Sequence, residues 1–120
     1  MSLDRLVAHL DRMQQAALET GQFIQRIDRD AFLSNVEKQR AVGMNLMMIG
    51  EMATRIMEEY PEFVIEHPDL PWRAIRGMRN RIAHGYFEID LMAAWDTAQK
   101  SLPELLKQLD SIRHWRAEGE

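Results

Sequence analysis

The chain has 120 residues and no cysteine, which excludes a disulfide framework and any thiolate-bound metal. Its 46% hydrophobic and 28% charged residues give the balance of a folded globular domain able to bury a core, and its formal net charge of −4 excludes a broadly basic nucleic-acid coat protein. Asp4 and Arg5 precede any apolar run, and no uncharged apolar stretch approaches the roughly 18 residues that a membrane span needs, so a soluble cytoplasmic protein without an export signal is expected.

Apolar residues recur at helical spacing along the chain. Ser2 is placed to cap a first helix, whose stripe runs through Leu3, Leu6, Val7, Leu10, Met13, Ala17 and Leu18 and continues to Ile27, with Gly21 weakening its end. Asp28 to Leu33 reads as a turn. Ser34-x-x-Glu37 is a capping box for a second helix, from about Asn35 to Glu59. That helix is apolar round much of its circumference (Val36, Met44, Met47, Ile49, Met52, Ile56, Met57), as suits a central helix or one shared with a subunit interface. Gly43 and Gly50 lie on nearly one side of it and would admit a neighbouring backbone.

Tyr60-Pro61 ends the second helix. A loop with Pro61, Pro68 and Pro71 follows, with room for one helical turn. Pro71 opens a third helix, Trp72 to His84, with Ile75, Met78 and Ile82 inward and Gly85 as its stop. Asp90 caps a fourth, with Leu91, Trp95, Ala98, Leu102, Leu105, Leu109 and Ile112 as its stripe; Pro103 should bend or split it. No strand pattern or repeat appears. The expected fold is an all-α, up-and-down bundle of four or five helices.

The chemistry concentrates in Arg76-Gly77-Met78-Arg79-Asn80-Arg81-Ile82-Ala83-His84-Gly85-Tyr86. An arginine holds a phosphate through two parallel hydrogen bonds, and a histidine moves protons near neutral pH, so the pair suits work on a phosphodiester. Residues 73–81 hold Arg73, Arg76, Arg79 and Arg81 and no acid, a local basic patch on an acidic body. On a straight helix, however, Arg79 stands about 140° from His84 and the two cannot reach one phosphate. Either the helix loosens before Gly85, or two chains pair so that both line one cleft.

Arg79-x4-His84-x-Tyr86 resembles the motif of HEPN-domain ribonucleases, most closely the HepT toxin family. Ile49-Gly50-Glu51, Pro71-Trp72, Tyr86-Phe87-Glu88-Ile89-Asp90 and Leu102-Pro103 also match, so the resemblance spans about residues 3–112 and treats residues 1–120 as one domain. It implies an endoribonuclease that needs no metal or other cofactor and acts as a homodimer with the two motifs facing each other. In such an enzyme the RNA's own 2′-hydroxyl attacks phosphorus, His84 serves as base or acid and Arg79 stabilises the phosphoryl charge. Asn80 and Tyr86 support them, and Arg73, Arg76 and Arg81 contact RNA phosphates. The resemblance further implies a toxin of a HEPN/MNT toxin–antitoxin system of the type II/VII kind, silenced when a nucleotidyltransferase antitoxin transfers AMP to Tyr86.

Blander readings stand beside these. A histidine at a helix end more often serves the helix dipole. Glu51 reads as a buried partner for an arginine such as Arg79, the Met44–Met57 stretch as core or interface, and His9, His67 and His114 as surface residues. No Glu-x-x-His or His-Glu-x-x-His pattern supports a metal. The alternative function is a non-catalytic helical adaptor that binds a nucleotidyltransferase, nucleotide or RNA.

Overall fold

A computed structural model describes residues 3–85 and 88–119, with side chains for residues 3–82 and 88–112. Ser2 and Tyr86 lie outside the described residues, as do the side chains of His84 and His114. The expected all-α bundle is present. Two long helices, α1 (Leu3–Ile24) and α3 (Val36–Glu59), pack against each other; α5 (Trp72–Ile82) lies on α3, and α7 (Leu102–Gly119) on α1. The core runs continuously through Met13, Phe32, Leu46, Ile49, Ile56, Ile75, Ile82, Trp95 and Leu109. Among the described residues no helix is long and apolar enough to cross a membrane.

The connections differ from the sequence expectation in instructive ways. Asp28 to Leu33 is not a simple turn. Asp28 caps α2 (Arg29–Leu33) by accepting the Ala31 N–H at 2.8 Å, and that one turn drives Phe32 fully into the core beside Trp95. The cap of α3 is Asn35, which accepts the Lys38 N–H at 3.0 Å; Ser34 instead donates its hydroxyl to the Asp30 carbonyl. The adjacent Asn outcompetes the Ser because both residue types cap well and only one register fits. A short α4 (Pro61–Glu66) fills the proline-rich loop. Pro71 sits just before α5, its carbonyl accepting the Ile75 N–H at 2.9 Å, so it acts one position earlier than expected.

Asp90 caps α6 (Leu91–Asp96) as expected, accepting the Ala93 N–H at 3.0 Å. Pro103 does not split the last helix, which is helical throughout residues 91–119, but an irregular turn precedes it. A π turn, Thr97–Ser101, separates α6 from α7, with the Leu102 N–H bonded five residues back to Thr97. The wide turn makes room where a proline ring would meet the carbonyl four residues before it and removes the need for its missing N–H.

Candidate functional site

Helix α5 carries the motif, and its seat is built from the sequence up. Trp72, Ile75, Met78 and Ile82 bury one face at three- and four-residue spacing. Trp72 is fixed further by donating its indole N–H to the His67 carbonyl at 2.9 Å. The partner face is Gly50. A Cβ there would lie 3.2 Å from the Ile75 carbonyl oxygen and 3.6 Å from the Arg79 nitrogen, so α3 and α5 touch backbone to backbone directly beneath the motif arginine. The close approach anticipated for this glycine is what places Arg79.

Helix α5 stops at Ile82, two residues short of His84. Ala83–Gly85 forms a short strand, β1, paired antiparallel with β2 (Glu88–Ile89), a two-stranded element the sequence pattern did not announce. Ala83 faces Ile89 and Gly85 faces Glu88, so His84 is the extra residue of an irregular, bulge-like step. Bulges of this kind are frequent beside active sites, where they re-aim the chain. The Asp90 N–H closes the structure onto the Ile82 carbonyl at 2.6 Å. Gly43 admits a side chain rather than the backbone expected there: a Cβ at that position would lie 2.9 Å from Ile89 Cδ1, on the returning strand. Two glycines of one helix therefore hold the two ends of the motif, Gly50 the arginine helix and Gly43 the strand that follows. The 140° separation computed for a straight helix does not apply, since His84 is not on the helix.

Arg73, Arg76, Arg79, Asn80 and Arg81 are all exposed. Among the described residues none of these arginines makes an ion pair within 4.0 Å; the pairs present are Arg5–Glu59, His9–Glu59 and Arg55–Glu51. Cations in the last turn of a helix complement its dipole, which accounts for part of the placement of Arg79 and Arg81. It does not account for Arg73 and Arg76. The first turn of α5 contains no acid and carries Arg73, against the dipole preference, and the i,i+3 pairs Arg73–Arg76 and Arg76–Arg79 set like charges beside each other. A local rule broken without internal compensation is what a surface for an outside anion looks like.

Several expectations are corrected. Glu51 is not buried and does not meet Arg79; it is 45% exposed and bonds Arg55 one turn on, at 3.3 Å. His9 is no surface residue. It is 2% exposed, its Nε2 lying 3.0 Å from Glu59, which also takes Arg5 at 2.8 Å. His67 is buried too, its ring centroid 4.3 Å from that of Phe63. The signal for His9 was present: Leu6, His9, Met13, Ala16 and Thr20 follow one three-four spacing, and all are buried. The Met-rich stretch divides. Met52 is core, whereas Met44 and Met48 are exposed one turn apart on α3. Among the described residues no three His, Asp or Glu side chains converge as a metal cage.

The chain matches known proteins over most of its length. The family model described as ribonuclease HepT-like matches residues 13–112. A "Putative RNase MJ0125" of Methanocaldococcus jannaschii is 31% identical over 90 residues, covering 75% of each chain. A "Probable ribonuclease HepT" of Thermococcus cleftensis is 29% identical over 105 residues, 88% of this chain and 93% of that one. A "Putative RNase MJ1380" of M. jannaschii is 29% identical over 112 residues, 93% of this chain and all of the relative. No solved structure matches.

Proposed function

The chain belongs to the HepT-like ribonuclease family, and from that premise we propose that it is an endoribonuclease whose site is the exposed arginine face of α5 together with the strand that follows. The observation that carries the reading is electrostatic. Four arginines stand exposed on one short helix of an acidic protein, with no described acid paired to them. RNA phosphates are the partner that such a face fits.

In the proposed reaction the 2′-hydroxyl of the substrate attacks the adjacent phosphorus. The new P–O bond forms as the bond to the 5′-oxygen breaks, leaving a cyclic phosphate and a free 5′-hydroxyl. His84 removes the attacking proton or supplies one to the leaving oxygen. Arg79 holds the phosphoryl oxygens as charge builds on them. Asn80 and Tyr86 support this pair, and Arg73, Arg76 and Arg81 steer the strand. The protein works in the cytoplasm as a homodimer, its two motifs facing each other, and exposed Met44 and Met48 on α3 are available as apolar contacts for that pairing. Its physiological setting is a toxin–antitoxin pair in which an MNT-type nucleotidyltransferase places AMP on Tyr86. A phosphate and base there would occupy the ground that the RNA phosphate needs.

Expression of wild type and His84→Ala in cells, each without any partner protein, tests this reading. Growth arrest with fragmented total RNA is expected for wild type only. Harmless expression of both, with no AMP on Tyr86 by mass spectrometry, would contradict it.

A further inference from the structure

A glycine inside a helix weakens it relative to alanine and needs a reason. One reason is a positive φ, which no described glycine has. Another is a close neighbour, which explains Gly43 and Gly50. Gly77 has neither. It lies in the middle of α5, and a Cβ built there would meet nothing described within 4 Å. Open space alone proves little, since Gly21 near the end of α1 is equally unencumbered. What sets Gly77 apart is its surroundings. Arg73 and Arg81 stand one turn before and after it, Arg76 precedes it and Asn80 is three residues on, all exposed. Arg73, Asn80 and Arg81, three or four residues from Gly77, share its helix face, and Arg76 stands at the edge of that face. The result is a half-buried glycine with room for a Cβ among the described residues, rimmed by long cationic and amide side chains.

We propose that Gly77 is the point where the ribose–phosphate backbone of the RNA substrate rests against α5, with the surrounding arginines reaching up around the strand. The proposal rests on the ribonuclease reading and adds to it a positioning residue that carries no functional group. Charge selects the occupant. A second copy of this chain would bring the same four arginines, unpaired among the described residues, to the contact, whereas a polyanion meets them favourably. A methyl group at this position would lift the strand off the helix and lengthen the arginine–phosphate contacts around it.

The test compares wild type, Gly77→Ala and Gly21→Ala by thermal melting, by sedimentation, by cleavage of a mixed-sequence single-stranded oligoribonucleotide, and by binding of its uncleavable 2′-fluoro analogue. Gly77→Ala should melt about 3 °C higher than wild type, as a helix-interior alanine does. Its KM and its Kd for the analogue should rise about tenfold, with kcat changed by less than about threefold. Gly21→Ala should bind and cleave like wild type. A stabilised variant that has lost affinity is not explained by a structural role. Unchanged binding and KM in Gly77→Ala overturns this inference alone. So does a lower melting temperature, which would mean that Gly77 is packed, or a loss of self-association, which would mean that a second copy covers it. Wild type that neither binds nor cuts RNA overturns the ribonuclease reading and this inference with it.

Discussion

Two charged regions of this molecule follow opposite rules. Where α1 meets the end of α3, Glu59 takes Arg5 on one oxygen at 2.8 Å and buried His9 on the other at 3.0 Å, so each charge has a partner within the chain. On α5, Arg73, Arg76, Arg79 and Arg81 stand in water, and among the described residues no acid pairs with any of them. The first cluster ties two helices together. The second sits against its own helix dipole at Arg73 and ties no described element to another. On the proposed function, the first cluster serves folding and the second serves RNA, which yields predictions of opposite kind for the two places.

The largest expected effect is on catalysis without folding. His84→Ala should cut RNA cleavage by about 100- to 10,000-fold, in the range typical of a lost general acid or base, while circular dichroism and the melting curve stay at wild type. Next comes the seat of the arginine helix. Gly50→Val puts two methyl groups where α5's backbone already lies 3.2 Å from a Cβ, so it should cost about 3 kcal/mol in urea unfolding and lower cleavage with it, because Arg79 moves too. In the paired cluster, Glu59→Ala leaves buried His9 without its carboxylate and should cost about 2 kcal/mol, with kcat per folded molecule unchanged. The smallest effect is the most diagnostic of the unpaired face. Arg73→Gln should leave stability within about 0.5 kcal/mol and reduce the salt dependence of RNA binding by about 0.7 in log–log slope, one phosphate's share for a single strand. An unchanged slope would return Arg73 to an ordinary solvated surface.

The fold was largely legible because helices announce themselves locally. The inward residues of α5, most of those of α1 and α3, the Asp90 cap and the irregular turn before Pro103 are all written within a few residues, although Leu3, Leu18 and Val36, read as inward, are exposed. What was not legible depends on contacts far apart in the chain. His9 meets its hydrogen-bond partner in Glu59, 50 residues away. The strand pair around His84 is held by an Asp90–Ile82 hydrogen bond and by Ile89 seated on Gly43, and neither shows in a three-residue strand's own sequence. Ser34 and Asn35 offered adjacent caps of similar quality, and only the packed structure chooses between them. At the site, the sequence named the residues of the arginine face, and the structure supplied the reason for their order: Gly50 beneath Arg79 and a helix that ends before His84. Tyr86 lies outside the described residues.

The most direct test of the central claim is cleavage by purified protein of an oligoribonucleotide and of DNA of the same sequence, with wild type and His84→Ala side by side. RNA fragments ending in cyclic phosphates are expected from wild type alone, with no cutting of DNA, which lacks the attacking hydroxyl. RNA cleavage at the wild-type rate by His84→Ala, or equal cutting of DNA, would contradict that claim.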